Sequence, residues 1–142
     1  CQMLSIVASE KWGHGYGELP KLDGKPYKTE KGAFRNHPCT VWANETLANS
    51  RWLIRHGLAL CEEYSDRYAK IHSCLHTLAY ANQLFPIDGA HRSELTPFVF
   101  AGPDEFKYDT VDVYSKYKMY IASKPWVKDN YRRIPERKPE WI

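Results

Sequence analysis

The sequence predicts an all-α protein, a compact single-domain helical bundle with long irregular loops. Apolar residues recur at helical steps of three and four in the middle and late parts of the chain. Gly and Pro residues, which interrupt helices, collect between those parts. The 142 residues are 43% hydrophobic and 26% charged, which is typical of a folded domain rather than a disordered segment. We therefore expect one domain over residues 1–142, with no substantial sheet.

The chain opens on an apolar run, CQMLSIVASE, which predicts the end of a helix over residues 1–10. No capping residue precedes this run and the first residue is Cys rather than Met, so we expect the native N-terminus to be missing. Residues 11–36 contain five Gly and two Pro residues, which predict a long loop. A loop of this length is typical of a binding segment or of a mobile one.

The best-patterned part of the chain predicts a long helix over residues 38–68. Pro38 suits the first helical turn, where the N–H group that proline lacks would have no partner. An apolar stripe with steps of three and four then continues through this part. Gly57 lies within the stripe and marks either a close helix contact or a break after His56.

Two further helices are predicted over residues 70–84 and 109–123, where apolar residues again follow helical spacing. Asp109 or Thr110 is the expected N-cap of the second of these helices. The region between them, residues 86–108, is rich in Pro and Gly but also contains three Phe residues. We expect this irregular region to pack down onto the helices.

The helical stripes predict one hydrophobic core, because each stripe needs another element against which to be buried. The expected members of this core are Leu53, Leu60, Tyr64, Leu75, Leu78, Tyr114 and Ile121. Replacement of Leu60 by Ala is therefore expected to cost about 2–5 kcal/mol of stability.

Positive charge is concentrated near the C-terminus. The net charge of +3 is too small to argue for nucleic-acid binding on its own. Residues 116–138, however, contain eight Lys or Arg and two acidic residues, which gives a local net charge of +6. Aromatic residues alternate with these cations. Nucleic-acid surfaces use both, because cations displace phosphate counterions and rings stack on exposed bases.

Two stretches combine cations with aromatic residues and are predicted to bind DNA. A solvated basic face is the alternative explanation for either stretch alone. The candidates are Lys28, Lys31, Phe34, Arg35 and His37 in the first stretch and Lys124, Trp126, Lys128, Tyr131, Arg132 and Arg133 in the second. His37 precedes a predicted helix N-terminus, where it would either contact a phosphate or cap the helix.

Other chemistries have weaker support in the sequence. His72 and His76 have a spacing that can place two imidazoles on one metal ion, but no H-E-x-x-H motif accompanies them. No metal and no cofactor is therefore expected.

No apolar run reaches the roughly 20 residues of a membrane span, and no secretory signal is visible. The sequence predicts a cytoplasmic protein with no membrane partner.

Four stretches resemble phage-type proteins related to the pyrimidine-dimer DNA glycosylase family: RNHPCTVWANETLANSRWLIRHGLALCEEYSDRYAKIH, LTPFVFAGPDEFK, VYSKYKMYI and the closing KPEWI. The most specific matches are His37-Pro38 followed by Trp42, Trp52-Leu53, Gly57-Leu58, Glu62-Glu63-Tyr64 and Arg67-Tyr68. This resemblance implies a compact helical fold and DNA, including damaged duplex, as the partner. The resemblance further implies the activity of a DNA glycosylase and AP lyase for the full-length protein.

The resemblance also implies two catalytic groups, an N-terminal α-amine that attacks the sugar carbon and a glutamate that stabilises the cationic sugar. Relatives carry an acidic residue a few positions ahead of the segment that matches residues 2–5, so both groups are expected to precede Cys1. No catalytic role is assigned to a numbered residue, and this fragment is expected to be inactive. The alternative is a non-enzymatic phage accessory protein that binds a protein or a nucleotide.

Overall fold

The computed structural model describes residues 1–12, without the side chains of 11 and 12, and residues 19–27, 34–85 and 93–142. These residues form five α-helices and contain no β-strand: α1 (Gln2–Val7), α2 (Pro38–Glu45), α3 (Leu47–Tyr68), α4 (Cys74–Leu84) and α5 (Val113–Ala122). A π-helical turn, Ala8–Trp12, continues α1, and three 3-10 helices cover Asp104–Phe106, Val127–Tyr131 and Pro135–Arg137. The predicted all-α class is confirmed.

The chain divides into two compact units, Cys1–Pro97 and Phe98–Ile142, here called unit 1 and unit 2. Unit 1 contains α1 to α4, and unit 2 contains α5 and the three 3-10 helices. Within unit 1, α3 packs against α2 and α4, and α1 packs against α2 and α3. The single domain over residues 1–142 stays a prediction.

The core of unit 1 is built around α1. The Ser5 hydroxyl accepts a hydrogen bond from the Leu19 N–H at 2.9 Å and donates one to the Tyr27 carbonyl at 3.3 Å. These two bonds hold the segment 19–27 against the helix, so a polar side chain is buried with its hydrogen bonds made. The buried residues of α1 are Leu4, Ser5, Ile6 and Val7.

The helix predicted over residues 38–68 is two helices, because the backbone at Thr46 is extended, with φ −137° and ψ 155°. The Thr46 hydroxyl accepts a hydrogen bond from the Asn49 N–H at 3.1 Å and so caps α3. Asn49 is fully buried, and its Nδ2 donates to the Trp42 carbonyl at 2.7 Å. The break therefore results from side-chain capping, which an apolar stripe does not reveal.

Gly57 lies inside the unbroken helix α3, so the predicted alternative of a break after His56 is wrong. A Cβ atom at position 57 would lie 2.9 Å from Cδ2 of Leu78 on α4. Such a distance is shorter than an ordinary van der Waals contact between carbon atoms. The glycine permits the close approach of α3 and α4, which was the other alternative.

Helices α4 and α5 begin four residues later than the sequence predicts. Asp112 is the N-cap of α5, because its Oδ1 accepts hydrogen bonds from the N–H groups of Tyr114 and Ser115 at 2.9 and 3.1 Å. The predicted caps, Asp109 and Thr110, were wrong because both lie in a turn that precedes the helix. The cap is therefore Asp112, which the sequence analysis did not name.

The predicted core is correct only in part. Of its seven residues the structure buries only Leu78. Leu53, Tyr64 and Leu75 are half-buried, and Leu60, Tyr114 and Ile121 are exposed. Leu60 is 57% exposed, so its replacement by Ala leaves no buried cavity. The loss of about 2–5 kcal/mol of stability, the cost of emptying a core site, is therefore no longer expected.

Candidate nucleic-acid interface

The basic segment, residues 116–138, begins in α5 and continues through the last two 3-10 helices of unit 2. Lys128, Arg132 and Arg133 are exposed. Arg132 Nη2 lies 2.8 Å from Asp129 Oδ1, and the two side chains are 76% and 55% exposed. An exposed ion pair of this kind contributes little to stability, so Arg132 can exchange the carboxylate for a phosphate at small cost.

Lys124 is half-buried at the end of α5, and its ammonium lies 3.9 Å from the centroid of the Tyr120 ring. The negative face of an aromatic ring attracts a cation at this distance. The contact restricts a flexible side chain while leaving its positive charge in place. Lys124 therefore contributes to the basic surface from a more fixed position than Lys128 does.

The two aromatic candidates of the basic segment differ in exposure. Trp126 is 55% exposed, whereas Tyr131 is 9% exposed. A ring stacks on a base only through a face that the base can reach. Trp126 is therefore available for stacking, whereas Tyr131 is buried and has no such face in this conformation.

Aromatic rings hold the segment 98–106 against α5 within unit 2. The ring of Phe100 lies 4.8 Å from that of Tyr117, at an interplanar angle of 62°. The Tyr117 hydroxyl donates to the Val99 carbonyl and accepts from the Ala101 N–H, both at 3.1 Å. This described part of the irregular region packs down as predicted, and it uses Tyr117 for structure.

The first predicted stretch lies only partly within the described residues, since Lys28 and Lys31 fall outside them. Arg35 forms an ion pair with Glu10. Glu10 Oε2 also accepts a hydrogen bond from Asn44 Nδ2 at 3.0 Å. The charge of Arg35 is therefore partly offset by a carboxylate, which reduces what it can contribute to phosphate attraction.

His37 caps α2. Its Nδ1 accepts the Cys39 N–H at 3.2 Å, and its carbonyl accepts the N–H groups of Thr40 and Val41 at 2.8 and 3.1 Å. Pro38 has no N–H group. The N–H groups of the first turn are thus already bonded at the helix end, as the capping alternative requires, and none is directed to a phosphate. A DNA contact by His37 stays a prediction that must rest on its side chain.

An open groove of about 430 Å³ is lined by residues of α1, α3 and α4 in unit 1. The α3 stripe faces this groove, which explains why Leu60 is exposed. Burial lowers the pKa of His56 and favours the neutral imidazole, and it also lowers the pKa of the Cys1 α-amine. The lining includes Leu53, His56, Gly57, Leu60, Tyr64 and Leu78.

His72 is engaged in structural contacts. Its Nδ1 accepts the Cys74 N–H at 3.2 Å, and its ring packs edge-on against Tyr64 with a centroid distance of 4.8 Å. His76 is exposed. Among the residues that the structure describes, no three His, Cys, Asp or Glu side chains are grouped to hold a metal ion. Every helix within those ranges is too short or too polar to cross a membrane.

Glu10 contacts Arg35 of the first predicted DNA-binding stretch, and the sequence analysis did not predict this contact. It lies in the π-helical turn after α1, a local widening of the helix that is frequent at functional sites. Its carboxylate contacts Arg35 and Asn44, so it connects the start of the chain with α2. It is the first acidic residue of the chain, but its partners could not be inferred from local spacing.

The described residues thus define an all-α protein with exposed cations and an exposed tryptophan in unit 2. A sequence model described as pyrimidine dimer DNA glycosylase matches residues 1–76, more than half of the chain. The chain belongs to this family. No curated protein and no solved structure matches it. The match lies within unit 1 and leaves the basic segment outside.

Proposed function

We propose that the protein binds DNA as a glycosylase-like member of this family and that it favours damaged over intact duplex. The observation that carries the proposal is the family match over residues 1–76, because the family is described by an activity on DNA. The exposed cations of the basic segment support it independently. They lie outside the matched residues and therefore do not simply restate the match.

The basic segment would supply attraction that does not depend on sequence. Each phosphate that a Lys or Arg neutralises releases a counterion, so affinity falls as salt rises. Lys128, Arg132 and Arg133 are exposed and suit this role. Preference for a distorted duplex requires other groups, since phosphate contacts position the protein without reading the bases. The exposed rings of Trp126 and Phe34 are the available groups among the predicted contacts.

Fluorescence anisotropy with a labelled 20-base-pair duplex tests the electrostatic part. The double variant Arg132→Ala/Arg133→Ala should weaken binding to every duplex and flatten the plot of log affinity against log salt by about one to two units. The matched control is Lys107→Ala, an exposed lysine of unit 2 that lies outside the basic segment and pairs with Asp104 at 2.6 Å. This control should leave the slope unchanged.

Trp126→Ala tests the stacking part. This variant should reduce the affinity ratio between lesion-containing and intact duplex while leaving the salt slope nearly unchanged, because it removes a ring and no charge. A parent protein that is folded but binds no duplex at low salt would contradict the whole proposal. The accessory-protein alternative would then take its place.

Catalysis is a separate question from binding. We assign no catalytic role to a residue of this chain. The family resemblance implies an N-terminal α-amine and a glutamate as the catalytic groups, and neither group is matched to a numbered position. Incubation of the 142-residue chain with dimer-containing duplex should therefore produce neither strand cleavage nor a borohydride-trapped adduct. A trapped adduct would overturn this expectation, and the α-amine of Cys1, whose pKa is lowered by burial, would be the first candidate nucleophile.

A further inference from the structure

Phe34 combines two unfavourable features. Its backbone is left-handed, with φ 64°, and its side chain is 55% exposed. Left-handed backbone is disfavoured for a bulky L-residue, because the Cβ atom crowds the neighbouring carbonyl oxygen. An exposed phenyl ring also leaves apolar surface in water. Neither feature stabilises unit 1, so both call for another explanation.

Ala69 provides the comparison, since it is the other non-glycine residue with positive φ among the described residues. It ends α3, and its N–H donates to the Ser65 carbonyl at 2.8 Å. A left-handed residue at this position closes the helix and satisfies a terminal carbonyl. Phe34 ends none of the described helices, so within the described residues helix termination does not account for its conformation.

The surroundings of Phe34 hold its ring in place. The His37 N–H donates to the Phe34 carbonyl at 3.1 Å and closes a turn. The rings of Phe34 and His37 lie 5.9 Å apart at 58°, and the His37 ring is itself held by the hydrogen bond from the Cys39 N–H. The next residue, Arg35, is anchored to Glu10. An exposed ring is therefore presented from a turn that is fixed on its C-terminal side.

We propose that Phe34 is a wedge that enters a weakened base step and so determines the preference of the protein for distorted over intact DNA. This inference rests on the proposed DNA binding. Apolar side chains inserted between bases partly unstack them, and the cost is least where a lesion or mismatch has already weakened stacking. A preorganised ring reduces the loss of side-chain entropy on insertion. Phe34 also lies within the family-matched residues 1–76, unlike Trp126.

The test compares Phe34→Gly, Phe34→Tyr and the control Val41→Ala. Glycine removes the ring and adopts the left-handed backbone freely, so this variant should melt no lower than the parent. Its affinity ratio between a duplex with one abasic site and an intact duplex should fall about tenfold, the effect expected for losing a base–aromatic contact. Tyrosine keeps the ring and should keep the ratio. Val41, an exposed apolar residue of α2, should not affect it.

A 2-aminopurine placed beside the abasic site reports directly on unstacking. Its fluorescence should rise when the parent or Phe34→Tyr binds and should not rise when Phe34→Gly binds. The wedge is overturned if Phe34→Gly keeps the affinity ratio, or if it melts lower and loses affinity for both duplexes equally. If the parent binds DNA and Phe34→Gly has the same affinity ratio as the parent, the wedge is refuted and the proposed DNA binding is not. Absence of binding by the parent to any duplex would refute the proposed function and the wedge with it.

Discussion

Unit 1 and unit 2 are stabilised in different ways. Unit 1 buries helix faces on one another and pairs buried polar groups such as the Trp42 carbonyl with side chains such as Asn49. In unit 2 only Val127 and Tyr131 are buried, and α5 contains no buried residue. Contacts between aromatic rings and hydrogen bonds to Tyr117 hold this unit instead. The stability of unit 1 is therefore expected to depend on burial far more than that of unit 2.

The difference also concerns what each unit offers to a partner. Unit 2 exposes a large share of its apolar side chains together with the basic segment. Apolar side chains that do not enter a core remain available for binding. Regions with few buried contacts also open at a lower free-energy cost. The exposed large apolar residues of unit 2 are Tyr108, Tyr114, Met119, Ile121, Trp126 and Trp141.

The same substitution in each unit should produce the largest contrast. Ile54 is fully buried in α3, whereas Ile121 of α5 is 38% exposed. We expect Ile54→Ala to lower the free energy of unfolding by about 2–5 kcal/mol, because it removes buried methyl groups and leaves a cavity. Ile121→Ala should cost less than about 1 kcal/mol. Urea denaturation followed by circular dichroism measures both. Equal costs would show that unit 2 depends on burial as much as unit 1.

Asn49→Ala tests the polar part of the core of unit 1. Its Nδ2 donates to the Trp42 carbonyl and to Thr96 Oγ1, both at 2.7 Å, and its Oδ1 accepts the Thr96 N–H at 3.0 Å. Removal of the amide leaves these groups without their partner and should cost about 1–3 kcal/mol in the same denaturation experiment. Asn36→Ala, at an exposed position, should have little effect. Similar stability of the two variants would contradict the assigned role of Asn49.

The smallest expected effect concerns the cap of α5. Hydrogen bonds from Ser115, and then from the Tyr114 N–H, hold the pKa of Asp112 below its ordinary value of 3.8. A lowered pKa means that the ionised cap stabilises the helix above pH 3.8 and that this stabilisation is lost as the pH falls through the lowered pKa. Acid titration of the helical circular-dichroism signal should therefore show a loss in the parent that is smaller in Asp112→Asn. Asparagine retains a capping oxygen and does not titrate. Identical acid profiles would exclude this contribution.

Local chemistry was sufficient to predict part of the candidate interface. The concentration of cations in residues 116–138 is a property of the sequence, and six of these eight Lys and Arg residues are exposed. Exposure of Trp126 and burial of Tyr131 could not be predicted, because both are aromatic residues in the same basic stretch. The Glu10–Arg35 ion pair also could not be predicted from the sequence, because it joins side chains that are distant along the chain.

The sequence by itself determined the all-α class, because helical periodicity and the placement of Pro and Gly are local properties. It also predicted the approximate extent of α4 and α5. Only the tertiary structure decided which apolar faces are buried. A stripe identifies the face of a helix, but burial requires a second element on that face, and for Leu60 that space is an open groove. The apolar run of α1, whose spacing is mixed, instead lies at the centre of the unit 1 core because other segments surround it.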